Sequence, residues 1–196
     1  VLIYSVDGLN TYFPYRYFLY ETIGNGYLPL WWHYTHLGYP FIEVLQSSVF
    51  YPLNYIFLPL YKSNPFLAYN LGILLHLYIL EIVIYYYINF LLKNRVVSFI
   101  VSILYALSGS STGYVDFLTF DNSIPYFFLC LYNLHLLIYK DIINQKDYLK
   151  NIIIAGASFG IIVLIGHPNI VVYTLIYSFI YILILLFLNK SCFIRI

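Results

Sequence analysis

The sequence predicts an all-α polytopic membrane protein, and three features carry that prediction. Hydrophobic residues make up 62% of the 196 and charged residues only 9%, for a mean hydropathy of +0.81, well outside the range of soluble globular domains. Beyond residue 65 the chain divides into apolar runs near the length of about 20 helical residues that a bilayer core requires, separated by short polar stretches. The lysines and arginines, finally, sort to alternate ends of those runs.

In chain order, residues 1–4 read as the end of a truncated transmembrane helix. The chain starts at Val1, contains no methionine and stops at Ile196 just after a hydrophobic segment, so a longer natural protein is expected. Residues 5–65 form a long amphipathic loop, rich in tyrosine and punctuated by proline and glycine. Asp7, Arg16, Glu21, His33, His36 and Glu43 recur too often there for a spanning helix. Within it, Asn10 or Thr11 caps a short helix through Ile23, Gly24 and Gly26 end it, and Pro52 to Tyr61 offers a second. Tyr12, Tyr15, Phe18 and Leu19 make one stripe of that first helix, as for a helix lying in the membrane interface.

Five spans follow, at about 66–92, 96–113, 123–139, 151–165 and 170–188. Lys93-Asn94-Arg95 closes the first, and the small-residue run from Ser108 to Gly113 ends the second. Ser123 is placed as N-cap of the third with Pro125 in its first turn, and Gly166-His167-Pro168-Asn169 is the turn between the last two. Residues 189–196 complete the chain on the cytoplasmic side.

Orientation comes from counting basic residues. Lys93, Arg95, Lys140, Lys146, Lys150, Lys190 and Arg195 fall on one side, against Arg16 and Lys62 on the other. Cytoplasmic loops collect such residues. The loop of residues 5–65 is therefore expected to be extracytoplasmic, in a bacterial cytoplasmic membrane with lipid as its solvent. No basic patch with interleaved aromatics exists, which argues against a nucleic-acid partner. Cys130 and Cys192 lack CxxC or Cys/His spacing and read as a buried small side chain and a stray thiol. A phosphate-cradling glycine loop, GxSxG and HExxH are all absent.

Several polar residues have the chemistry of a site. Asp7, just past the first helix end, is a carboxylate placed to act as a base between a lipid headgroup and a water-side acceptor, or a plain Asp-Gly turn residue. Asp116 and Asp121, five apart in one loop, can hold a sugar hydroxyl or a divalent metal, or simply be loop acids in water. His167 is aimed by Gly166 and Pro168 and can bind phosphate or carry a proton, or be a turn histidine. Arg16 can meet a phosphate, Glu21 or a lipid headgroup. Trp31 fits an aromatic belt at headgroup level, with sugar stacking as the functional reading. Glu81 is the acid deepest in a span, and His76, five residues earlier, lies about 140° round the helix and is no easy partner.

The run Asp7-Gly8, Tyr12 to Pro14, Gly26 with Pro29-Leu30-Trp31, Gly38-Tyr39-Pro40, Gln46 and Tyr51-Pro52-Leu53-Asn54 resembles the bacterial YfhO-like membrane protein family. The likeness continues at Leu107-Ser108-Gly109 and Gly166-His167-Pro168. That family is similar to GT-C glycosyltransferases. The resemblance implies a GT-C-like helical bundle with short amphipathic helices in its first extracytoplasmic loop, a polyprenyl-phosphate sugar as donor substrate and a cell-envelope polymer, for example of teichoic-acid type, as acceptor. By position it makes Asp7 the catalytic base. Arg16, His167 or a metal would meet the leaving phosphate, and Asp116, Asp121 and Trp31 would contact substrate. Many GT-C members carry adjacent acids, whereas Asp7 stands between Val6 and Gly8, which weakens the case for a divalent metal. A transporter or flippase of a lipid-linked substrate, relying on Glu81, His76 and His135, is the alternative expectation.

Overall fold

The computed structural model describes residues 7–35, 37–109, 118–139 and 145–188. Asp116, His36, Cys192 and the basic residues Lys140, Lys190 and Arg195 lie outside them. Among the described residues helices dominate, and one small hairpin is the only sheet. Three helices are long and apolar enough to cross a membrane, which makes this a helical membrane protein.

A layer of short elements comes first. A π-helical turn, Gly8–Tyr12, runs straight into α1 (Phe13–Gly24) with Pro14 in its first turn, where a missing N–H is harmless. The hairpin pairs β1 (Trp31–Trp32) with β2 (Tyr39–Pro40), antiparallel, Trp32 opposite Tyr39. Gly38 closes it at φ +90°, and a Cβ there would sit 2.3 Å from Trp31 Nε1. Only glycine fits. Three short 3-10 turns lead to α2 (Leu58–Tyr61).

The expected stripe on α1 packs against protein. Tyr12, Phe18 and Leu19 are buried in protein: Phe18 and Leu19 pack with Trp32, Phe41 and Val49, and Tyr12 packs with Tyr69, Ile73 and Leu118. The hairpin folds back over α1, so its apolar face meets Trp32 and Phe41, which stack at 5.6 Å, instead of lipid. Burying each such side chain is worth roughly 1.5–3 kcal/mol.

Five longer helices form the bundle: α3 (Pro65–Leu92), α4 (Arg95–Ala106), α5 (Leu118–Tyr139), α6 (Gln145–Ile165) and α7 (Pro168–Leu188). Asn64 caps α3 by accepting from the Leu67 N–H at 3.0 Å, and Asn94 caps α4 by accepting from Val96 and Val97. Between them Lys93 takes a left-handed turn at φ 52° that folds α4 back on α3. Of the five, α3, α6 and α7 meet the length and hydropathy of a span. Helix α4, at 12 residues, is about 18 Å long within the described residues, shorter than a bilayer core. Helix α5 begins at Leu118, earlier than expected, so Ser123 is interior and no cap. Its hydroxyl donates to the Thr119 carbonyl at 2.7 Å, and Pro125 lies inside the helix.

Several hydroxyls on the bundle helices are satisfied close to home. Ser98, Ser102 and Ser158 each donate to a carbonyl three or four residues back, as does the Asn133 amide. Such local bonds suit an interior without water. Only 17% of the α7 apolar window is buried in protein, so most of its surface is left for lipid.

Candidate functional site

Asp7 and His167, far apart in the sequence, line the same cleft. Asp7 stands at the entry to the π-helical turn, half-exposed, with Gly8 buried behind it. His167 sits in the two-residue link between α6 and α7, where Pro168 opens the next helix. Asp7, Thr11, Tyr12, Gln46, His167, Pro168 and Asn169 line one open, polar cleft of about 410 Å³.

The link is held there by a close backbone approach. Gly166 adopts φ +84°, and a Cβ on it would fall 1.9 Å from the Leu45 carbonyl oxygen. The turn therefore presses directly onto the 3-10 turn Leu45–Ser47. Ser48, itself left-handed at φ 54°, donates its hydroxyl to the Ile165 carbonyl at 2.6 Å. This clasp sets Gly166-His167-Pro168 beside Gln46. Tyr12 anchors the other wall, its hydroxyl 3.4 Å from Thr119 Oγ1 on α5.

His167 is mostly buried, edge-on to Phe120 at 5.7 Å, and its Nδ1 has no hydrogen-bond partner. Burial holds its pKa below the ordinary histidine value, a backbone bond opposing the shift. The ring is therefore neutral near pH 7 and can donate from one nitrogen while accepting at the other.

The remaining expected site residues lie elsewhere. Arg16 does not reach the cleft; it lines a separate internal cavity of about 20 Å³ with Asn122 and His76. That space has room for about one water molecule, far less than a phosphoryl group. Burial draws the Arg16 pKa downward, with Tyr20 and other tyrosines opposing. A guanidinium nevertheless keeps its proton in proteins. Asp121 is buried on the first turn of α5 with Oδ2 unpartnered. Trp31 is exposed on β1 and does not line the cleft. Among the described residues no three His, Cys, Asp or Glu side chains converge as a metal site.

Behind the cleft runs a network that the sequence did not announce. His76 Nδ1 bonds the Gly72 carbonyl at 2.6 Å, which makes Nδ1 the donor and leaves Nε2 to accept from the Tyr51 hydroxyl at 2.6 Å. Tyr126 then donates to Tyr51 at 2.7 Å. In the sequence His76 and Tyr51 stood out only separately, His76 inside a span and Tyr51 before Pro52. Gln46, Asn169 and Thr11 were likewise invisible as a group, because they converge from three separate segments. Compared with protein-family models, with curated proteins and with solved structures, the chain matches none.

Proposed function

We propose that this chain is the transfer module of a membrane glycosyltransferase that moves a sugar from a polyprenyl-phosphate donor to a cell-envelope acceptor at the outer face of a bacterial cytoplasmic membrane. The observation that carries the reading is the shared cleft of Asp7 and His167, an acid and a neutral imidazole in one open polar space. Asp7 takes the proton of an acceptor hydroxyl as that oxygen attacks the anomeric carbon. The bond from that carbon to the phosphate oxygen breaks, and polyprenyl phosphate leaves with the electron pair. His167 donates a hydrogen bond to the departing phosphate. A single displacement of this kind inverts the anomeric centre. Gln46 and Asn169 supply neutral polar contacts for sugar hydroxyls.

The helix directions agree with an outward cleft. Lys93 and Arg95 stand at the α3–α4 turn, and Lys146 and Lys150 on the first two turns of α6, all at the end of the bundle remote from Asp7 and His167. The test replaces Asp7 by Asn in the whole protein, in cells lacking the native gene, and measures envelope glycosylation together with protein abundance. Glycosylation lost at normal abundance supports the reading; glycosylation kept removes Asp7 as base. If Asp7→Asn is silent and Glu81→Gln abolishes movement of a lipid-linked sugar across the membrane, transport replaces transfer.

A further inference from the structure

Arg16 poses a problem that the cleft does not solve. It is 6% exposed, and its Nη1 has no hydrogen-bond partner. Charges so deeply buried are ordinarily paired, because an uncompensated one costs several kcal/mol. Among the described residues no carboxylate answers it: the groups that act on Arg16 electrostatically are Tyr20, Tyr69, Tyr51 and Tyr55. Asp121, the one buried acid among the described residues, owes its own perturbation to burial alone and leaves Oδ2 unpartnered.

The guanidinium lines a hollow whose walls are mostly buried: Tyr20, Asn54, Tyr69, His76 and Asn122 surround it. His76 and Asn54 cannot neutralise the charge, since His76 is committed to Gly72 and Tyr51, and the Asn54 amide donates to the Ser48 carbonyl at 2.7 Å. Asn122 Oδ1 is buried and unpartnered. Turning that amide over presents two N–H donors in place of the oxygen. The cavity of about 20 Å³ admits one small guest. Water would fill it but would leave the positive charge unanswered.

We infer that this cavity is a structural site for a single monatomic anion of chloride's class, bound by the Arg16 guanidinium and the Asn122 amide between α1, α3 and α5. Such an ion neutralises Arg16, supplies its missing acceptor and ties the short elements of residues 7–61 to the bundle. Phosphate and sulfate are too large. The site is distinct from the Asp7–His167 cleft and does not depend on what that cleft does.

The test is thermal unfolding of the whole protein in detergent, in sodium chloride, bromide, sulfate and gluconate at one ionic strength. Chloride and bromide should raise Tm by several degrees, saturably, while sulfate and gluconate do not. Arg16→Gln should remove the halide response. Because that variant may lose its fold, Asn122→Asp is the second arm: its carboxylate becomes the built-in anion, so Tm in gluconate should rise toward the wild-type value in chloride and the halide response should vanish. A Tm indifferent to halide in the wild-type protein overturns the site. So does a halide response that survives Asn122→Asp undiminished.

Discussion

The Asp7–His167 cleft and the Arg16 cavity treat their charged groups in opposite ways. The cleft is open, about 410 Å³, and its acid is half-exposed. The cavity is about 20 Å³ and its cation is shut in by tyrosines and asparagines. An acid that keeps contact with water can exchange protons and meet a substrate. A cation sealed from water can only be neutralised once and then hold structure together. Of the two charged candidates, Asp7 keeps contact with solvent and Arg16 is enclosed by protein.

The largest separation between them should come from Asp7→Asn. Losing a general base lowers turnover by about 10²- to 10⁴-fold, while Tm and the halide response of the Arg16 cavity stay as they were. Loss of both would mean that Asp7 is structural. Next in size is Gly166→Ala, which places a methyl 1.9 Å from the Leu45 oxygen in a left-handed backbone. It should destabilise the protein by about 3 kcal/mol, seen as a lower midpoint in denaturant, and dislodge His167 from the cleft without touching Arg16. Retained stability would show that the turn can swing away from Leu45.

Tyr51→Phe probes the boundary between the two regions. It deletes the donor to His76 Nε2 and the acceptor for Tyr126, for a loss of about 1–3 kcal/mol. Tyr126→Phe, which leaves Tyr51 bonded to His76, should be milder; equal losses would break the proposed donor order. The smallest effect is the pH dependence of His167. Its folded pKa is depressed by burial, so the unfolded chain takes up the proton first. Stability is therefore fully present above the unfolded value of about 6.5 and falls as pH drops through it toward the folded pKa. His167→Gln should flatten that limb of a Tm-against-pH curve and leave the neutral plateau in place.

The composition of the chain alone determined that this is a helical membrane protein. Helices must satisfy their own backbone in hydrocarbon, and the apolar lengths of α3, α6 and α7 are read directly from the residues. The close of the first span at Lys93-Asn94-Arg95 and the turn at Gly166-His167-Pro168 were legible for the same local reason, whereas the caps made by Asn64 and Asn94 were not. The start of α5 was not, because Ser123 looks like a cap until its hydroxyl finds the Thr119 carbonyl. Nor was the fate of the α1 stripe. An amphipathic face shows only that it must be buried, and Trp32 and Phe41, not lipid, turned out to cover it. Tertiary structure alone decided that Asp7 shares its cleft with His167 and Gln46 while Arg16 is walled off with Asn122. Proximity between distant segments depends on how Gly166 packs against Leu45 and how α1 crosses α3, and no local pattern encodes that.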